Sequence, residues 1–202
     1  TKFVRDDGTL VSPAGGGMNP APLPQFTMPT STPYCIPGWR YSIQNTAGVN
    51  VDFMIWFPIY VAVSQAFTAI AIEVTTAAAA GGLCRLGLYA DAGTAAPTGA
   101  TGAPLDTGTV ATDTFGVKEL AISRTLQGWY WLAFNYTASC QTRYASTLVD
   151  TPISPYTSAP NGSGLIGLAR SQSASSAMPT TPVATAVMTS STTGIISAWL
   201  KK

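Results

Sequence analysis

The stretch 82–136 constrains the fold of this chain most strongly. It contains four short apolar or alternating runs with turn residues between them: 82–91, 105–110, 117–123 and 128–134. Short runs of this kind, rich in β-branched and aromatic side chains, are typical of antiparallel strands that meet in one sheet. The stretch therefore predicts hairpin-linked strands, with one of the turns at Gln127-Gly128.

Two runs before this stretch also indicate strands. Residues 66–74 alternate, so that Ile70, Ile72 and Val74 are expected to point to one side and Glu73 to the other. Residues 51–63 are rich in aromatic and β-branched side chains, but Pro58 predicts a bulge or a break between two strands. Residues 77–82, four alanines and two glycines, are interpreted as a loop or a single turn.

Further strand candidates follow at 164–170, 185–188 and 194–200, after a long segment without periodicity. The body, residues 34–202, therefore holds roughly eight to ten short strands with few helical signals. We predict an all-β fold, a jelly-roll-like two-sheet β-sandwich, although another two-sheet arrangement fits the pattern equally well.

Residues 1–33 have a different character, because prolines and glycines recur along them. This density forbids a helix and disfavours a ladder strand, so we predict an extended N-terminal arm with polyproline II character. Apolar residues punctuate the arm, and Phe3, Leu10 and Phe26 are the candidate attachment anchors. The alternative is a disordered tail.

Charged residues make up 9% of the chain, hydrophobic residues 46%, and the net charge is +1. This balance gives no electrostatic basis for binding nucleic acid, and it favours a surface that is hydroxyl-rich or covered by neighbouring subunits. The longest apolar run, residues 53–63, is too short to span a bilayer, so no membrane insertion is expected. No secretory leader is visible, so the protein is used without export or a processed region is missing.

Catalytic and metal-binding patterns are weak. The chain contains no histidine, and its three cysteines lack metal-ligand spacing, so they are predicted to be buried free thiols rather than a disulfide or zinc site. The acidic residues are not spaced as a glycosidase pair. Turns at Asp91 and Asp106 could supply calcium ligands, but turn chemistry explains both. We therefore expect no enzymatic activity, cofactor or metal.

Aromatic side chains are the strongest candidates for recognition. Trp129 and Trp131 are expected on one strand face, and Tyr156 on a long connection. Exposed, they could stack on a sugar ring or pack on a partner; otherwise they belong to the core or to a subunit interface.

The order of segments from Leu88-Tyr89-Ala90-Asp91, through the loop to residues 104–110, and on to residues 116–122 and 126–134, resembles a known module. It is similar to a β-sandwich module found in structural proteins of tailed bacteriophages, in fibres, spikes and head decorations. The resemblance covers about a quarter of the chain and identifies no catalytic residue. A typical member has Pro-Gly before the Trp-Tyr-Trp-Leu run, where this chain has Gln127-Gly128.

The resemblance implies a structural protein of the virion, assembled in the cytoplasm of the bacterial host and most often a homotrimer. Its expected partners are other virion proteins, such as capsid or tail components, which the arm would contact. The alternative is a carbohydrate-binding module of a phage fibre that recognises a host-surface glycan.

Overall fold

The computed structural model describes residues 3–4, 10–11, 34–37, 42–92, 97–99, 105–146, 165–181, 186–189 and 198–202. None of these residues is helical, and the predicted all-β class is confirmed. The strands are β1 (Phe3–Val4), β2 (Leu10–Val11), β3 (Tyr34–Cys35), β4 (Ser42–Gly48), β5 (Phe53–Thr76), β6 (Leu83–Asp91), β7 (Pro97–Thr98), β8 (Leu105–Ala111), β9 (Gly116–Tyr136), β10 (Gln141–Ser146), β11 (Leu165–Ser171), β12 (Ala186–Thr189) and β13 (Trp199–Lys201).

The chain divides into two compact units, Thr1–Ser31 and Thr32–Lys202. In the first unit β1 and β2 pair antiparallel, with Phe3 opposite Val11. These strand residues therefore do not adopt the extended polyproline II conformation predicted for the arm. They precede the first proline, Pro13, so each keeps the N–H group that a ladder requires.

β5 and β9 form the spine of the second unit. They are 24 and 21 residues long and pair antiparallel from Ile55 opposite Phe134 to Val74 opposite Gly116. The register shifts between Val61 and Gln65, and again between Phe67 and Ala69. The first shift separates two regions: the covered half, residues 53–61 with 128–136, and the open half, residues 65–76 with 116–126.

The predicted turn at Gln127-Gly128 is wrong, because β9 runs through both residues. Gly128 has a φ of 93°, a left-handed conformation that is accessible to glycine because it lacks Cβ. Its partner, Val61, is the residue at which the register of β5 shifts. The positive φ therefore marks a local irregularity within one long strand and not a reversal of the chain.

β5 also continues through Pro58, where the sequence indicates a bulge or a break. Pro58 lies opposite Trp131 of β9. The N–H of Tyr60, two residues further on, donates to the carbonyl of Pro37 and so faces away from β9. By strand alternation the nitrogen of Pro58 also faces away from β9. The pairing of β5 with β11 on that side ends at Trp56. The missing N–H of Pro58 therefore removes no hydrogen bond from the ladder between β5 and β9.

The other strands extend this spine on both sides. In the covered half β11 pairs with β5 and β6 with β9; β12 follows β11, while β7 and β8 follow β6. In the open half β10 and β13 pair with β5, and β4 and β3 extend them. Hydrogen bonds thus link eleven strands into one antiparallel sheet. The jelly-roll strand order stays a prediction.

Most of the covered half is buried on both faces: residues 54–57 of β5 and 131–136 of β9 are buried without interruption. One face carries six fully or largely buried apolar side chains: Ile55, Phe57, Ile59, Leu86, Leu132 and Phe134. The opposite face carries a second buried cluster: Met54, Trp56, Tyr89, Trp131, Ala133, Leu168 and Met178. Met178 does not belong to a strand. It comes from residues 172–181, which cross this second face and are called the strap below.

The open half alternates as the sequence predicts. Ile70, Ile72 and Val74 are buried, and Glu73 is half-buried on the other side of β5. Along the partner strand the residues at 117, 119, 121 and 123 are exposed, whereas those at 118, 120 and 122 are half-buried. On β5, Ala69 and Ala71, which lie on the same side as Glu73, are also buried, so the alternation between exposed and half-buried residues in this half is that of β9.

All three cysteines are free and buried, which confirms the prediction of buried thiols. Burial raises the pKa of the Cys35 and Cys140 thiols to about 11, and it raises the pKa of Cys84 as well. In the part of the chain that the structure describes, there is no helix of the length and apolar character required to cross a bilayer.

Candidate recognition surface

Trp129 and Trp131 lie on one face of β9, as predicted, but their surroundings differ. Trp131 is buried with 3% exposure, whereas Trp129 is 40% exposed. Their cross-strand neighbours on β5 are Tyr60 and Pro58, respectively. The structure therefore separates the two predicted recognition residues into a core side chain and a surface side chain.

The strap that covers Trp131 is fixed at its start by Asp52. The carbonyl of Asp52 accepts the N–H of Gln172 at 3.0 Å, and its carboxylate accepts the N–H of Ala174 at 2.9 Å. Asn135, buried in β9, donates its side-chain amide to the carbonyl of Gln172 at 2.8 Å. The first residues of the strap are thus bonded to β9 and to Asp52, the residue that precedes β5.

The middle of the strap is held by an ion pair between β6 and β8. The Arg85 guanidinium donates to both carboxylate oxygens of Asp106, at 3.0 and 2.9 Å, and to the carbonyl of Ala174 at 3.1 Å. Asp106 in turn accepts the N–H of Met178 at 3.0 Å. Met178 packs directly above Gly87, in the space that a Cβ at that position would enter. The pair therefore positions the strap as well as joining two strands.

The far end of the strap covers the aromatic cluster. The Tyr89 hydroxyl donates to the carbonyl of Pro179 at 2.9 Å, and burial raises the pKa of Tyr89. The Tyr89 ring packs edge-to-face on Trp56, with centroids 6.2 Å apart and planes at 79°. Trp131 completes this group by donating its indole N–H to Asp91 at 2.8 Å.

Beyond the strap the same sheet face ends in an exposed aromatic pair. The rings of Tyr60 and Trp129 lie 4.9 Å apart with planes at 43°. The next pair along the ladder, Val61 and Gly128, is the last before the register shifts, and Val63 in the unpaired segment is 47% exposed. Tyr60 and Trp129, together called the aromatic platform, lie at the exposed end of an otherwise buried aromatic face.

Asp91 lies beside the platform on the neighbouring strand. Ala90 is opposite Tyr130, so Asp91 and Trp129 are the next residues along β6 and β9. Asp91 is two residues from Tyr89, which is opposite Trp131, so alternation places its side chain on the platform face. The bond from Trp131 fixes the carboxylate there.

A second polar cluster lies on the open half. Glu119 accepts hydrogen bonds from the Tyr34 hydroxyl and from the Lys201 ammonium, the latter at 3.0 and 2.9 Å. These bonds lower the pKa of Glu119 and raise the pKa of Tyr34 and of Lys201. The cluster joins β9 to the first and last strands of the body, so its chemistry is structural.

The described carboxylates all accept structural hydrogen bonds. Their partners are backbone N–H groups, an indole, a tyrosine or basic side chains, for Asp52, Glu73, Asp91, Asp106, Asp113 and Glu119. Among the residues that the structure describes, no group of acidic and thiol side chains is arranged to hold a metal ion. Each of these six carboxylates therefore contributes a polar bond that joins parts of the fold.

The other predicted site residues are placed as follows. Phe3 and Leu10 lie in the paired strands β1 and β2. Phe26 and Tyr156 lie outside the described residues. The structure therefore brings Phe3 and Leu10 into one small ladder, in which Leu10 is opposite Val4.

Sequence reasoning placed Asp91 in a turn and Tyr60 on a loop rather than in β6 and β5, did not pair Tyr60 with Trp129, and missed the strap. A cross-strand neighbour such as Tyr60 can be found only once the register of β5 and β9 is known. The strap is rich in serine, alanine and threonine, like a solvated loop, and Met178 is its one large apolar residue. That isolated methionine is the available signal.

Comparisons of the chain with protein-family models, with curated proteins and with solved structures found no match.

Proposed function

We propose that this chain is a non-enzymatic structural protein of a phage virion, attached to the particle through residues 1–33. It would serve as a decoration, head-fibre or tail-fibre and spike subunit, assembled in the host cytoplasm. The observation that carries the proposal is the division of the chain into two compact units, Thr1–Ser31 and Thr32–Lys202. We propose that the first unit contacts a capsid or tail protein through apolar residues such as Phe3 and Leu10.

The polar bonding of the body gives further support. The chain has few charged residues, and the described carboxylates are used to join strands or to fix the strap. A surface built in this way depends little on charge, which suits close packing against identical or different subunits. We propose a homotrimer, following the resemblance of residues 88–134 to the phage module.

The test is incorporation into the parent particle. Deletion of residues 1–33 is expected to leave a body with the same β-type circular dichroism that no longer copurifies with particles. In the full chain, Phe3→Asp and Leu10→Asp should reduce incorporation, whereas Phe115→Asp in the body should not. A truncated body that reaches particles at normal occupancy would overturn the proposal.

Carbohydrate recognition is the second candidate function. The specific observation in its favour is the aromatic platform, where an indole is 40% exposed beside a tyrosine ring. Exposed aromatic rings of this kind can stack on the apolar face of a sugar. A glycan array probed with the full chain tests this function independently of particle attachment.

A further inference from the structure

We infer that Tyr60, Trp129 and Asp91 form a binding site for a neutral saccharide, with one pyranose ring stacked on the indole and its hydroxyls bonded to the carboxylate. This inference rests on the second proposed function, carbohydrate recognition, and is independent of attachment to a virion. It adds the binding residues and the charge class of the ligand.

The platform is built on paired strands, and its two rings contact each other. Tyr60 and Trp129 are cross-strand neighbours whose backbones are fixed by the spine ladder. Trp131, buried next to them on the same face, is fixed under the strap and orients Asp91 through its indole N–H. Because strand positions and one side-chain bond set the geometry, a ligand would pay little ordering entropy on binding.

The chemistry of the surface matches a sugar ring. The exposed indole offers a flat apolar surface for the C–H groups of a pyranose. Asp91 accepts the Trp131 N–H and has a further interaction, and because a carboxylate has about four acceptor sites it can accept a sugar hydroxyl in addition. The bonds to an ionised acceptor are stronger than those between neutral groups.

The size of the apolar surface argues for a small ligand rather than a protein partner. Among the described residues, the large exposed apolar side chains are Val51, Val63, Phe115, Val117 and Trp129. Trp129 and Val63 lie next to the register shift of the spine ladder, whereas Val51 precedes β5, Phe115 precedes β9 and Val117 is the second residue of β9. A stable protein interface covers about 800 Å² on each partner. One indole, part of a tyrosine ring and one valine fit one or two sugar rings.

The charge of the site selects among sugars. Asp91 is the acidic group adjacent to Trp129 in the register. An acidic saccharide would place a second negative charge next to this carboxylate, which is unfavourable. We therefore expect neutral saccharides to bind and acidic ones to bind more weakly.

The experiment uses the full chain and named probes. Cellohexaose, maltohexaose and mannohexaose, with hexagalacturonate as the acidic contrast, are titrated while tryptophan fluorescence and saturation-transfer NMR are recorded. At least one neutral probe should bind more tightly than the acidic one. If none of the neutral probes binds at millimolar concentration, or if the acidic probe binds best, the inference is wrong.

Three variants then locate the site. Trp129→Ala should weaken binding about tenfold, the scale expected for loss of an aromatic stacking partner. Phe115→Ala, at the most exposed phenylalanine, is the matched control and should leave binding unchanged. Asp91→Asn should weaken binding while the thermal midpoint records any effect on the Trp131 bond; Trp129→Phe should restore part of the affinity.

These outcomes distinguish an error in the proposed binding site from an error in the proposed carbohydrate recognition. Saccharide binding that survives Trp129→Ala would place the ligand elsewhere and overturn this inference while leaving carbohydrate recognition intact. Absence of binding by every probe would overturn both. Incorporation of Trp129→Ala into particles is expected to be normal, because that property depends on residues 1–33.

Discussion

The two halves of the β5–β9 ladder have the same backbone pairing, but their side chains are buried to different degrees. In the covered half, Leu132, Ala133 and Phe134 are all essentially inaccessible, because one face packs in the interior and the strap covers the other. In the open half, exposed residues such as Val117 alternate with half-buried ones such as Leu120. What surrounds the two strands therefore decides whether both of their faces become core.

The halves also differ in how polar bonds are used. In the covered half the ion pair of Arg85 and Asp106 has side-chain exposures of 16% and 24% and holds the strap. In the open half the pair of Arg143 and Glu73 has exposures of 33% and 32% and joins two strands at the surface. The platform residue Trp129 lies near the boundary between the covered half and the open half. This position explains why the aromatic face becomes exposed to solvent there.

The largest expected difference between the halves concerns core truncation. Phe134→Ala in the covered half should lower the free energy of unfolding by about 3–5 kcal/mol, because it leaves a cavity in a closely packed interior. Leu120→Ala in the open half should cost less than about 2 kcal/mol, since that side chain is already half exposed. Denaturant unfolding of both variants measures the difference. Equal losses would mean that the two halves do not differ in packing.

A smaller effect is expected where the strap meets the sheet. A Cβ at Gly87 would contact the side chain of Met178 and lie 2.7 Å from the carbonyl of Leu105. Gly87→Ala should therefore cost about 1–3 kcal/mol, the usual range for overpacking. Limited proteolysis should then cleave within residues 172–181 faster than in the parent protein. The double variant with Met178→Ala should recover part of the loss; unchanged proteolysis would show that the strap is not held at this point.

The two ion pairs provide a matched comparison of lower magnitude. Asp106→Asn should destabilise the protein by about 1–2 kcal/mol, because it leaves Arg85 partly buried without its charge partner. Glu73→Gln should cost between zero and about 1 kcal/mol, as is usual for surface pairs. Thermal and denaturant unfolding at low and high salt separate the two. A larger loss for Glu73→Gln would reverse the proposed contrast.

The sequence predicts the open half better than the covered half. The alternation of Ile70, Ile72 and Val74 identifies a strand and its buried face, which the structure confirms, but Ala69 and Ala71 on the opposite face are buried as well. Burial of both faces at residues 131–136 could not be predicted, because it depends on residues 172–181, whose composition resembles that of an exposed loop. Contacts such as that of Asp52 with Ala174 join positions 122 residues apart and leave no local pattern.

The error at Gly128 has a similar cause. A hairpin turn and an irregularity within one strand both use glycine at positive φ, so the residue type alone does not distinguish them. Only the partner strand does: β5 is long enough to pair with β9 on both sides of Gly128. The platform also depends on the partner strand. Trp129 can be selected from the sequence, but only the register of β5 and β9 identifies Tyr60 as its neighbour.

The smallest expected effect is a pH dependence confined to the open half. The hydrogen bond from Tyr34 and the interaction with Lys201 lower the pKa of Glu119 below its ordinary value of 4.5. The unfolded chain therefore takes up this proton at higher pH than the folded protein. The stabilisation is fully present above the unfolded pKa and is lost as the pH falls through the lower folded value.

Glu119→Gln should consequently be slightly less stable than the parent protein near neutral pH, and the difference should vanish in acid below the folded pKa of Glu119. Tyr34→Phe, which removes one bond but keeps the ion pair with Lys201, should show a smaller difference with the same pH dependence. Thermal midpoints measured from neutral to acidic pH provide the test. A difference that persists unchanged in acid would mean that the carboxylate charge does not stabilise the open half, and that its strands are held by backbone pairing and apolar contacts alone.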